Sequence, residues 1–233
     1  MPDVSSFIFE IRYAPAPRIL DKQGEIIEAL GGDIFSNWSI SIDEKIQMTS
    51  ASKKNLLVII TFNAIAIEYK NAPSSQEFIE ICEQILKKAW SLLPFEKTTR
   101  IGVRSTYLSS ISSFEEGVKK YRERFIKLSD VEIEEIGGSI VDIGMPLNFA
   151  EGDKFFNIVT GPMKKQQSRE RMGLEAEVEL PENSIYLDVD YFSLDENAKR
   201  KQKEILSFLK LGIDRGINIR KKIHNWISPA EDE

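Results

Sequence analysis

Apolar and polar residues alternate from the start of the chain. Phe7, Phe9 and Ile11 fall on one face of an extended segment, Phe7–Tyr13, and Ile8, Glu10 and Arg12 fall on the other. This period of two predicts a half-buried strand. Pro15 and Pro17 end it. From about Pro17 to Leu30 the apolar positions Ile19, Leu20, Ile26, Ile27 and Leu30 recur at helical spacing, and Gly31-Gly32 supplies backbone that can stop a helix. Four short strands are predicted next, over 34–40, 45–50, 56–62 and 64–69, with separations short enough for an antiparallel meander. Ser74-Ser75-Gln76-Glu77 reads as a capping box for a helix that runs to about Leu93.

The same order of patterns then returns. A strand over 99–108 is followed by a second capping box, Ser113-Phe114-Glu115-Glu116, and a helix with Phe114, Val118, Tyr121, Phe125 and Leu128 on one face. Strands are predicted over 131–143, 154–160, 174–180 and 184–192. A third box, Ser193-Leu194-Asp195-Glu196, opens a long final helix with the stripe Leu206, Leu209, Ile213, Ile217, Ile223 and Ile227. Gly212 and Gly216 interrupt that stripe, which suits either close packing against a neighbour or a kink. The expected fold class is α+β: two duplicated β-α-β4-α halves, residues 1–96 and 97–233, that share a curved antiparallel sheet with helices on one face. A helix-grip barrel, with the final helix across a curved sheet, is the alternative.

Composition narrows the chemistry. A content of 42% hydrophobic and 29% charged residues is that of an ordinary globular protein. The longest apolar run, Leu56–Ile60, is too short to span a bilayer, so no membrane contact is expected. Met1-Pro2-Asp3-Val4-Ser5-Ser6 has no basic patch before an apolar core, which leads to the expectation of a cytoplasmic protein. The net charge of −6 opposes general attraction to phosphate backbones, and nucleic acid is not an expected partner. Cys82 falls on a helical stripe with Phe78, Ile81 and Ile85 and reads as a small buried hydrophobe. His224 is the single histidine, with no second imidazole and no nucleophile motif to serve. Gly31-Gly32 and Gly137-Gly138 lack a phosphate-loop context. No cofactor is therefore expected. Lys164, Lys165, Arg169 and Arg171 lie in Met163–Gly173, which has no evident apolar anchor and reads as a solvated hairpin tip. Lys199, Arg200, Lys201 and Lys203 read as a solvated face of the final helix, and Lys221-Lys222 also suits the negative end of its dipole.

Six charged residues form the candidate site. Glu10 and Arg12, Arg100 and Arg104, and Asp188 and Asp190 each share one face of their own strand, so neighbouring strands would merge them into one polar patch. One reading is a ladder of cross-strand ion pairs. Another is a ligand or partner groove, in which Arg12 and Arg104 recognise an anion and Asp188 and Asp190 orient them. A third places a divalent metal on Glu10, Asp188 and Asp190, with the arginines opposing its charge.

Phe9-Glu10-Ile11-Arg12-Tyr13, Arg100-Ile101-Gly102-Val103-Arg104 and Leu187-Asp188-Val189-Asp190-Tyr191-Phe192 resemble, in order and spacing, the signature strands of an uncharacterised, sporadically distributed prokaryotic protein family. The sequence departs from that signature at Ser105, where the family carries an aromatic residue. The resemblance implies no established activity, and a patchy distribution fits exchanged genes such as those of phage defence or toxin control. The expected function is non-enzymatic recognition of a protein partner or small anionic ligand on a concave sheet face. The alternative is a metal-dependent hydrolase or nuclease using the acidic residues of that face. Homo-oligomerisation through the C-terminal helix is expected if Ile217, Ile223, Trp226 and Ile227 lack cover within the chain.

Overall fold

The computed structural model describes residues 4–32, 34–43, 45–198 and 200–227. Residues 1–3 of the segment read against a leader, and Lys199 of the basic run, lie outside them. The strands are β1 (Val4–Tyr13), β2 (Asn37–Ile40), β3 (Ile46–Thr49), β4 (Leu56–Thr61), β5 (Ala64–Tyr69), β6 (Thr98–Ser110), β7 (Met145–Glu151), β8 (Lys154–Lys164) and β9 (Asn183–Ala198). They make a single open sheet in the order β2-β3-β4-β5-β1-β6-β9-β8-β7. Every pairing is antiparallel. The helices are α1 (Arg18–Asp21), α2 (Gln23–Leu30), α3 (Ser75–Ala89), α4 (Phe114–Phe125), α5 (Asp130–Ile136), α6 (Lys165–Met172) and α7 (Gln202–Ile227). None of them is long and apolar enough to cross a membrane.

The alternation of β1 does what its sequence requires: Phe7, Phe9 and Ile11 are buried under helices, and Ile8, Glu10 and Arg12 face the other way. Phe7 stacks on Phe78 of α3 at 5.3 Å between ring centres. Cys82 is fully buried on the same helix, and burial pushes its thiol pKa well up. Helix α7 crosses β6 and β9 on this covered face, with Phe208 stacked on Tyr191 at 5.2 Å. Gly212 and Gly216 lie in close packing against the sheet, within the unbroken span of α7. A Cβ on Gly212 would lie 2.8 Å from Cβ of Val103, and one on Gly216 would lie 3.0 Å from Ser105.

Several expectations are corrected. Between α4 and α7 the described residues form three strands, β7, β8 and β9, in place of the four expected. The segment over 131–143 begins as helix α5, where Ser129 accepts from the Glu132 N–H and the Glu132 carboxylate accepts from the Ser129 N–H at 2.7 Å. Residues 174–180 form no strand, although Leu174 and Leu180 are buried. Ser193 sits inside β9, paired with Ile101 and Lys154, so Ser193–Glu196 caps no helix. Ile223 and Ile227 are buried in the chain's own core and Ile217 packs against it, which removes the uncovered stripe on which self-association rested. Trp226 stays partly exposed against Phe125.

Candidate functional site

The three motif-bearing strands β1, β6 and β9 are consecutive in the sheet. Their polar positions therefore project onto the face that α2, α3, α4 and α7 leave open, and all six candidate residues meet there. Arg12 and Arg100 are directly opposite in the β1–β6 register, a like-charge juxtaposition that would be unfavourable alone. Glu10 lies between them and resolves it: its Oε1 accepts from Arg12 Nε at 2.7 Å and from Arg100 Nη1 at 2.7 Å. Arg100 also donates from Nη2 to both carboxylate oxygens of Asp190 at 3.1 Å. Its guanidinium lies 4.9 Å from the centre of the Phe192 ring. Arg104 makes a two-pronged pair with Asp188, Nε to Oδ1 at 2.8 Å and Nη2 to Oδ2 at 2.5 Å. The planar fork of arginine is suited to this geometry.

Burial differs sharply within the group. The Asp188 side chain is 7% exposed and that of Arg104 is 46% exposed. Asp188 is thus a buried anchor, and it holds a guanidinium whose second Nη takes no part in the pair. Burial raises the Asp190 pKa above the usual carboxylate range, and Arg100 pulls it back down. The hydrogen bonds that Arg104 donates to Asp188 raise the Arg104 pKa, so this cation stays charged throughout the accessible pH range.

Two adjoining cavities occupy this face. One, of about 290 Å³, lies among Ser6, Ile8, Lys70, Arg104, Arg171 and Tyr186. The other, of about 210 Å³, lies among Ile8, Glu10, Arg12, Arg100, Arg104 and Asp190. Ile8 and Arg104 belong to both walls, so the two form one trough along β1 and β6.

The far end of the trough is closed by an element that the sequence pattern did not reveal. Met163–Gly173 is not a solvated tip: its residues 165–172 form α6, and Met172 is buried with Val4, Leu108, Leu174, Leu180 and Tyr186 on the open face of the sheet. Lys70 of the strand turn donates to the Gly173 carbonyl at 3.2 Å. Arg171 lies 5.8 Å over the ring of Tyr186. The available signal was the alternation of Leu174, Val178 and Leu180, which marks burial without requiring a strand. Gly102 was quoted only as part of a motif, yet it is the floor on which Arg100 rests: a Cβ there would lie 2.5 Å from Arg100 Nη1.

For metal chemistry the donors are poorly disposed. Glu10, Asp188 and Asp190 are each committed to an arginine, and among the described residues no group of three or more His, Cys, Asp or Glu side chains is placed to hold a metal ion. No protein-family model matches the chain, and no curated protein matches it.

Proposed function

We propose that this chain is a non-enzymatic recognition protein whose open sheet face receives an anionic group, carried by a small ligand or a protein partner, at Arg104. The observation that carries this reading is the half-exposed Arg104 guanidinium, fixed by buried Asp188 at the junction of two cavities. A purely structural ion pair has no need of adjoining empty volume. Two-pronged seating fixes the orientation of the guanidinium before any ligand arrives, which lowers the ordering cost of binding. Asp188 and Asp190 then act as positioning residues for Arg104 and Arg100, and Glu10 holds Arg12 and Arg100 apart.

The three segments that carry the family resemblance are adjacent strands, and this supports reading them as one shared surface. On that footing, phage-defence or toxin-control genes are the setting in which to seek the partner. We also infer that 1–96 and 97–233 descend from one duplicated unit. In support, β1 and β6 lie side by side at the sheet centre, and each has the last strand of its own segment, β5 or β9, on its outer side. Among the described residues the second segment has four strands to the first segment's five.

The test is an NMR titration that follows the backbone amides of Ile8, Thr106 and Asp188, which surround Arg104, with acetate, citrate and inorganic phosphate in the wild type and in Arg104→Gln. Saturable perturbation by at least one probe, lost in the variant, is expected. Because Asp188 is buried, Arg104→Gln leaves a carboxylate without its cation and should cost a few kcal/mol, so both proteins are titrated at a temperature where the variant is folded. No response of the wild type to any probe, or an equal response in the folded variant, would return the six residues to a purely structural role.

A further inference from the structure

We propose a second binding site, for a small molecule bearing a phosphate or carboxylate group, on the covered face of the sheet where the final turns of α7 pass the end of β6. A cavity of about 390 Å³ lies there, larger than either half of the trough. This is the size range of small-molecule sites. Ser109 and Ser110 of β6 supply two hydroxyls to its wall, and Arg220, Lys221, His224 and Asn225 of α7 supply a guanidinium, an ammonium, an imidazole and an amide. Among the described residues no carboxylate lines it. In a chain of net charge −6 this is a local reversal of sign, and it differs from the trough, where acidic and basic side chains alternate.

Contrary to the reading from sequence, the negative end of the α7 dipole does not account for the two cations here, Arg220 and Lys221. That field acts within the last turn, where His224 lies, and Arg220 and Lys221 stand one turn earlier. Arg220 is also held in place. Its guanidinium lies 5.3 Å over the Tyr107 ring, and its Nε donates to the Ser109 hydroxyl at 3.3 Å. A seated guanidinium, two neighbouring hydroxyls and an adjacent ammonium form a donor set suited to the several oxygens of one anionic group.

His224 is the only histidine of the chain, so its ring C2–H proton is an unambiguous reporter. The experiment titrates the protein with inorganic phosphate, pyrophosphate or citrate at fixed pH and at ionic strength held constant with chloride. A saturable shift of the His224 resonance is expected with at least one probe. Phosphate-type probes alone would assign a phosphate-bearing ligand, and citrate alone a polycarboxylate. Lys221→Gln and Ser109→Ala should each weaken the apparent affinity, by about tenfold for the charged contact. Arg104→Gln on the opposite face should leave the titration unchanged, which separates this site from the trough. The proposal falls if the shift rises linearly without saturating, if Lys221→Gln leaves it intact, or if Arg104→Gln removes it.

Discussion

Gly102 shows how a missing side chain can organise charged ones. Arg100 stands opposite Leu194 in the β6–β9 register, yet it pairs with Asp190, which is the register partner of Arg104, four positions along β9. To reach that far it must lie flat across position 102, between Glu10 and Asp190 and against Phe192. Valine at 102 is a good strand former, so Gly102→Val should keep β6 intact while evicting the guanidinium. Asp190 would then lose the partner that restrains its upward shift, and its carboxyl should titrate at higher pH than in the wild type. Carbon-13 NMR of the Asp190 carboxyl reads this directly, and an unchanged midpoint would show that Arg100 is not seated through Gly102. The linkage has a definite sign. A carboxyl whose folded pKa exceeds its unfolded value holds its proton more tightly in the native state, so its contribution to stability falls as pH rises between those two values. The variant should widen that window.

The long helix α7 sets the thickness of the covered layer at its two glycines. Alanine at 212 would gain about 1 kcal/mol of helix propensity, but its methyl must displace Val103, a β-branched side chain on the central strand, and overpacking of this kind costs about 1–3 kcal/mol. Gly212→Ala should therefore be net destabilising. Gly216→Ala meets Ser105 and the Tyr107 hydroxyl at 3.0 and 3.1 Å, and should come out near neutral. Paired denaturant midpoints check both; equal midpoints would mean that the helix slides to absorb the methyl. Ser105 is small for the same reason, since an aromatic side chain there would not fit beneath Gly216. At this scale the period-two strands β1, β4, β5 and β6 were legible, because each buries one face along its whole length. The failures share a cause, a local pattern overruled by long-range pairing. Ser193–Glu196 has the spelling of a cap, but Ser193 is claimed by β6 and β8 on either side. Residues 174–180 alternate like a strand, yet their carbonyls are satisfied differently: Arg169 donates to the Glu175 and Val178 carbonyls, and Val178 N–H returns to Glu175. The site residues were legible one strand at a time. Their ion-pair partners were not, because pairing depends on a strand order that places residues 10, 100 and 190 side by side.

At the scale of the whole molecule, the sheet is covered unequally on its two faces, and this confines the trough. One face carries α2, α3, α4 and α7 over a continuous core, and the other carries α6 over a small separate cluster around Met172. A cluster that shares few contacts with the main core can open with its own local free energy, lower than that of global unfolding. Met172→Asp would place a charge beside Leu108 and Tyr186, where removal of the methionine contacts alone costs about 2–5 kcal/mol. Amides of residues 165–174 should then exchange with solvent much faster, while those of β1, β6 and β9 keep their protection. Hydrogen exchange read by NMR separates these outcomes, and equal acceleration in the central strands would make α6 part of the global folding unit. With α6 released, the larger cavity loses the wall formed by Arg171, Met172 and Gly173, while the Arg104–Asp188 pair keeps its place on the sheet. Affinity for an anionic probe at Arg104 should consequently fall without being abolished, because the strands supply the charge and α6 supplies the enclosure.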